Sequence, residues 1–197
     1  MRSLITPMLA IALVSAAWAA EPKFEPIFNG KDLTGWQSTD MQSFWRVENG
    51  VLVGESIGTL KENYLRTEKS YGDFVLEFEV RWTGEIDSGI DFRKPNIQLQ
   101  LGVSRSLKRD MSGSFYVGKP GYPEAGQAKN AAQLMHPEGQ WNTFRLEAKG
   151  TTFTVWINGQ QAAQYTDEKF DGAAPIGLQI HGGLKMKVEY RNLRLAE

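Results

Sequence analysis

Residues 88–102 read SGIDFRKPNIQLQLG. With a period of two, Ile90 and Phe92, then Ile97, Leu99 and Leu101, point one way. Gly89, Asp91 and Arg93, then Asn96, Gln98 and Gln100, point the other way. A strand places successive side chains on opposite faces, so this alternation predicts two consecutive strands with one buried face. The other face carries carboxylate, guanidinium and amide groups. Amides beside an Asp/Arg pair suit a surface that hydrogen-bonds something polar and uncharged, such as a sugar.

The same period recurs on both sides. In 73–82, Phe74, Leu76, Phe78, Val80 and Trp82 alternate with Val75, Glu77, Glu79 and Arg81. Phe144, Leu146 and Ala148 repeat it. Ile176, Leu178 and Ile180 share a face opposite Gly177, Gln179 and His181, and Met186, Val188 and Tyr190 close the set. Asn49-Gly50 and Asn158-Gly159 each separate two short runs and mark tight hairpins. No segment from residue 21 onward carries an apolar stripe of period 3.6. Many short strands with turns between them predict an all-β sandwich or barrel. Gly102 to Gln140 breaks the rhythm. It is long and polar, with one short strand expected at 114–117, and its length fits a rim over a binding site or an insertion.

Residues 1–20 read as a signal peptide, with Arg2 as the positive n-region and 8–14 as a short apolar run. Ala17-Trp18-Ala19 is the small-x-small cleavage signal, so cleavage falls near residue 19 or 20. That apolar run is too short for a stable transmembrane helix. Residues 21–197 then form a single domain with no transmembrane segment, exported to the periplasm or beyond the cell. The chain has no Cys, so its core must hold without disulfides, which suits a bacterial exterior. Removing Arg2 leaves 21 basic residues against 23 acidic ones, a net charge of about −2. Nothing in this balance implies a nucleic-acid partner.

The stretch FEPIFNGKDLTGW at 24–36 resembles the opening of the bacterial 3-keto-disaccharide hydrolase family. FWRVENGVL (44–52), LRTEKSYGDFVLEFEVR (65–81), SGIDFR (88–93), SGSFY (112–116), GQWNTFRLEAKG (139–150), WINGQ (156–160), GLQIHG (177–182) and YRNLRL (190–195) follow in the family's order. The resemblance implies a concanavalin A-like jelly-roll β-sandwich of two antiparallel sheets. It also implies cleavage of glycosides whose sugar carries a ketone at C3, by lyase and hydratase chemistry, with a carbohydrate as partner.

A 3-keto group acidifies the C2 proton. Cleavage then needs a base, a stabiliser for the enolate oxygen and an acid for the leaving oxygen. His181 is the expected base, since an imidazole titrates near neutral pH. Arg93 is expected to stabilise the enolate or to pair with Asp91 or Asp87. Asp91 is expected as acid, base or structural partner of Arg93. Gln98, Gln100 and Gln179 are expected to orient hydroxyls, Tyr116 to hydrogen-bond or stack on the substrate, and Tyr122 to cover the site from its loop. The family pattern reads Glu-x-Gln where this chain has Gln98 and Gln100, and a Gln cannot transfer protons. Asp91 is the expected substitute for that carboxylate. Asp87, Asp91 and His181 are acceptable ligands for a divalent metal, although no spacing marks a metal site and none is assigned. His136 is expected to face solvent. Two other readings stand beside the enzyme: a non-catalytic glycan-binding module on the same sandwich, and a structural partner in an envelope assembly.

Overall fold

The computed structural model describes residues 22–58 and 61–197, and the expected signal segment lies outside them. The strands are β1 Glu25–Pro26, β2 Trp36–Gln37, β3 Trp45–Glu48, β4 Val51–Ile57 and β5 Asn63–Tyr71. They continue as β6 Phe74–Trp82, β7 Asp87–Phe92, β8 Ile97–Ser104, β9 Arg109–Asp110 and β10 Phe115–Tyr116. The last are β11 Asn142–Lys149, β12 Thr152–Ile157, β13 Gln160–Thr166, β14 Ala174–Ile180 and β15 Lys185–Ala196. Among the described residues, helix is confined to single turns at Met41–Phe44, Glu124–Gly126 and Ala131–Leu134.

The strands form two antiparallel sheets, as expected. One runs β13-β12-β11-β6-β15-β4-β3, with β1 beside β15. The other runs β10-β8-β7-β14-β5-β2, with β9 beside β8. The central pairings, β11 with β6, β6 with β15, β15 with β4, β7 with β14 and β14 with β5, join strands distant in sequence, the mark of jelly-roll winding. Both Asn-Gly pairs turn hairpins as read. Asn49 and Gly50 have φ of 51° and 81°, and Asn158 and Gly159 have 49° and 82°, the two positive values such turns require.

The facing surfaces of the sheets bury the predicted apolar rows. Phe78, Ile90, Phe92, Leu99, Phe144, Leu178, Ile180 and Tyr190 are all at most 1% exposed. Phe92 lies edge-on to Phe74, Phe115 and Phe153, with ring centroids 5.3–6.4 Å apart. Each such side chain contributes about 1.5–3 kcal/mol by leaving water, which holds the sandwich together without a covalent staple. The outer face of the first sheet is an ion-pair ladder. Glu77 bonds Arg145 and Arg194, Glu79 bonds Arg191, and Glu189 bonds Arg81. Arg81 and Arg191 also lie over the Trp141 ring. The outer face of the second sheet carries the cleft.

Candidate functional site

The cleft is built from three cross-strand rows on that outer face. The first runs Arg66, Gly177, Asp91, Gln98, Tyr116 across β5, β14, β7, β8 and β10. The second pairs Tyr64 with Gln179 and Gly89 with Gln100. The third holds Asp87, with His181 just beyond the end of β14. Gln98, Gln100, Gln179, Tyr116, Tyr122, Asp87 and His181 line one cleft of about 240 Å³, together with Glu62, Tyr64, Asn96, Ser104, Arg105 and Ser106.

The floor is a connected amide network. Gln98 Nε2 donates to Gln179 Oε1 at 2.9 Å, to Gln100 Oε1 at 3.2 Å and to the Ser88 carbonyl at 3.3 Å. Gln100 Nε2 donates to Asp87 Oδ1 at 2.8 Å. Gln179 Nε2 donates to Glu62 Oε1 at 2.5 Å and to the Tyr64 hydroxyl at 2.9 Å. These amides are nearly covered, so their mutual bonds are what make their burial tolerable. Gly89 leaves the space for this network. A Cβ there would stand 2.2 Å from Gln98 Nε2.

Tyr122 reaches the floor from the long segment after β8. Its hydroxyl donates to Gln100 Oε1 at 2.9 Å, and its ring lies 5.2 Å from that of Tyr116. Burial pushes the Tyr122 phenol up to about 12. The segment thus forms one wall of the cleft.

His181 is the imidazole in the cleft, with its side chain 36% exposed. Its Nδ1 lies 2.8 Å from the Gly182 carbonyl. A carbonyl only accepts, so Nδ1 carries the proton in the neutral ring and Nε2 holds the lone pair. Nε2 stands 4.0 Å from Asp87 Oδ2. The backbone N–H of Arg105 donates to the same oxygen at 3.0 Å, so Asp87 is fixed by bonds to both its oxygens. His136 lies elsewhere, exposed, with Nδ1 2.9 Å from the Trp141 carbonyl.

Arg93 does not join the site, which corrects the alternation read for it. Its φ is 65°, so the backbone leaves the extended strand at this residue and the side chain swings out of register. The guanidinium is 2% exposed. Nη2 donates to Asp73 Oδ1 at 2.9 Å and to the Gly150 carbonyl at 2.7 Å. It neither pairs with Asp91 nor reaches the cleft. Arg105 is the guanidinium that lines the cleft.

Asp91 keeps its place on the polar face, directly opposite Gln98. It stands four residues along β7 from Asp87, about 13 Å at strand rise. Burial pushes its carboxyl up to about 7, and the Asn96 amide and then the Arg66 charge only partly offset this. Its Oδ2 lies 3.5 Å from Arg66 Nη2, and its Oδ1 has no hydrogen-bond partner among the described residues. Of the three residues weighed as metal ligands, Asp87 and His181 come together and Asp91 stands apart. No group of three or more His, Cys, Asp and Glu suited to a metal occurs among the described residues.

Glu62, Tyr64 and Arg66 were not anticipated from the sequence. Their signal is the alternation in ENYLRTEK at 62–69. There Asn63, Leu65 and Thr67 face inward, and Glu62, Tyr64 and Arg66 face the cleft side. A larger hollow of about 690 Å³ lies on the opposite sheet, between Phe24, Phe28, Glu79 and Arg194. Its charged groups belong to the ion-pair ladder and no histidine lines it.

Fold and rows together define a concanavalin A-like jelly-roll domain with a polar cleft on one sheet. The chain belongs to the 3-keto-alpha-glucoside-1,2-lyase-like domain family, whose model matches residues 23–196. Solved structures share the fold at low identity. A candidate glycosyl hydrolase from Parabacteroides distasonis superposes with a TM-score of 0.62 at 21% identity, over 88% of this chain and 93% of that one. The carbohydrate-binding module CBM66 from Bacillus subtilis gives 0.61 at 15%, over 83% and 96%. A Bacillus licheniformis beta-glucanase gives 0.60 at 14%, over 89% and 98%. No curated protein matches the sequence.

Proposed function

We propose that the protein cleaves 3-keto glycosides, with His181 Nε2 as the base that takes the C2 proton. The observation that carries this reading is the meeting of His181, Asp87 and the three glutamines in one cleft. Family membership supports the substrate class. The amide floor and Tyr116 and Tyr122 orient the hydroxyls of the keto sugar. Asp87 faces the positive charge that develops on His181. Arg105 takes the part expected of Arg93, beside the enolate oxygen.

The C2–H bond breaks, its proton goes to Nε2, and its electron pair enters the enolate. When the ketone re-forms, the pair closes the C1–C2 double bond and the C1–O bond breaks toward oxygen. The imidazolium returns its proton to that leaving oxygen. Water then adds across C1–C2, giving net hydrolysis. Asp91 lies too far along β7 to touch the proton His181 takes. In this reading it acts by holding Arg66. We also propose that residues 1–20 direct export and that residues 21–197 form one domain. No helix among the described residues is long and apolar enough to cross a membrane.

The carboxylate-free floor at Gln98 favours a second reading, a glycan-binding module without chemistry. Incubating the protein with a 3-keto disaccharide and assaying the released sugar decides between them. Release supports the enzyme. Binding of unoxidised glycan, with no release from any 3-keto glycoside, sinks it.

A further inference from the structure

A second hollow of about 390 Å³ abuts the cleft. Glu62 and Tyr64 line both, so they form a ridge between two compartments. Beyond the ridge, the second hollow is lined by Gln37, Ser38, Thr39, Asn63 and Arg66, and every one of these side chains is polar. The first compartment alone, at about 240 Å³, is smaller than the roughly 300–1,000 Å³ of ordinary small-ligand sites. The two joined fall within that range.

Arg66 is the aimed group of the second hollow. Its guanidinium carbon lies 4.1 Å above the centre of the Tyr64 ring. Its Nη2 stands 3.5 Å from Asp91, whose side chain is 3% exposed, while Arg66 itself is 38% exposed. A buried carboxylate therefore sets the direction of an exposed donor fork. Arg66 already occupies one face of the Tyr64 ring, and the side chains around the hollow are hydrogen-bonding groups. Recognition here falls to hydrogen bonds, which favours a hydroxyl-rich ring over a flat aromatic one. Glu62 on the ridge disfavours an anionic ligand.

We infer that the second hollow holds the leaving sugar, with Gln37, Ser38, Thr39 and Arg66 as its specificity residues. The bond to be cut then crosses the Glu62–Tyr64 ridge. This rests on the cleavage reading above and assigns the half of the substrate which that reading leaves unplaced. Asp91 is a positioning residue for it, acting through Arg66.

The test compares kcat/KM for a 3-keto disaccharide with that for the methyl 3-keto glucoside, which lacks the second ring. Gln37 is exposed on the short edge strand β2, so Gln37→Trp fills the hollow without disturbing the core. The expected result is a fall of at least tenfold in the ratio of disaccharide to methyl glycoside. Arg66→Gln, which leaves the hollow open, should lower the same ratio mainly through the disaccharide KM. A ratio unmoved within twofold in both variants, with both substrates still cleaved, overturns the second compartment alone. Wild-type protein that cleaves neither substrate overturns the cleavage reading and this inference with it.

Discussion

His181 Nε2 and Asp87 Oδ2 stand 4.0 Å apart at one end of the cleft, with the imidazole's other nitrogen bonded to the Gly182 carbonyl. The pair leaves the lone pair on Nε2 and places a fixed carboxylate beside it, where the proposed proton transfer would put positive charge. Two unit charges at that separation attract by about 4 kcal/mol at the effective dielectric of a protein surface.

His181→Ala should therefore lower turnover of a 3-keto glycoside by roughly 10²–10⁴-fold, the usual worth of a positioned base. Asp87→Asn should lower kcat by about 10–100-fold, the loss of roughly 1.4–2.7 kcal/mol of transition-state stabilisation. Far-UV circular dichroism of both variants should match the parent. Full turnover in His181→Ala would remove the imidazole from the mechanism.

Gln98→Glu should destabilise the protein, although it restores the residue of the family pattern. Gln98 Nε2 faces three acceptors: the Ser88 carbonyl, Gln100 Oε1 and Gln179 Oε1. A carboxylate there removes the donor to all three, leaves Gln100 Oε1 with the Tyr122 hydroxyl alone and adds a buried charge, at a cost of about 1–3 kcal/mol or more. Turning the Gln179 amide to compensate would take its nitrogen off Glu62 and Tyr64. The melting temperature should fall by about 3–10 °C. A melting temperature equal to or above the parent's would refute the donor role of Gln98.

Gly89→Ala probes the same network from below. The added methyl would lie 2.2 Å from Gln98 Nε2 and 2.6 Å from its Cγ, so the side chain must lift off the strand. Overpacking of this kind costs about 1–3 kcal/mol. Thermal unfolding measures that cost, and a raised KM for the keto sugar reports the displaced amide. If neither changes, the floor is looser than its hydrogen bonds indicate.

Asp91 gives stability a pH dependence. Its folded carboxyl titrates at about 7 rather than near the ordinary 3.8, chiefly through burial. Between those values the folded chain holds a proton that the unfolded chain has lost. Stability from this group is thus fully present below the lower value and falls as pH rises toward 7, by up to about 1.4 kcal/mol per pH unit. Asp91→Asn cannot lose a proton. Its urea midpoints between pH 4 and 8 should lack that fall, and at pH 8 it should be the more stable protein. Parallel curves for parent and variant would show that Asp91 stays ionised throughout.

The sandwich was legible because alternation survives folding. Phe74 to Trp82 and Ile176 to Ile180 bury the faces their patterns mark, and the Asn-Gly turns sit where two positive φ values are needed. The glutamine face was legible for the same reason. Arg93 was not, because one positive φ ends the alternation and nothing in SGIDFR announces it. Asp87 and His181 lie far apart in the chain, and only the pairing of β14 with β7 brings them together. Glu62, Tyr64 and Arg66 alternate openly, but a mixed Glu, Tyr and Arg face looks like an ordinary solvated strand until β14 sets Gln179 beside it.

The empty position at residue 89 ties two sites of the chain to each other. Because the Gln98 amide lies over that glycine, the two positions must vary together. A relative with any side chain at the position of Gly89 needs a short or redirected residue at the position of Gln98, and its cleft will have a different floor. The pair at 89 and 98 is therefore a marker by which to sort members of this family into those that share the glutamine-paved cleft and those that bind their ligand another way.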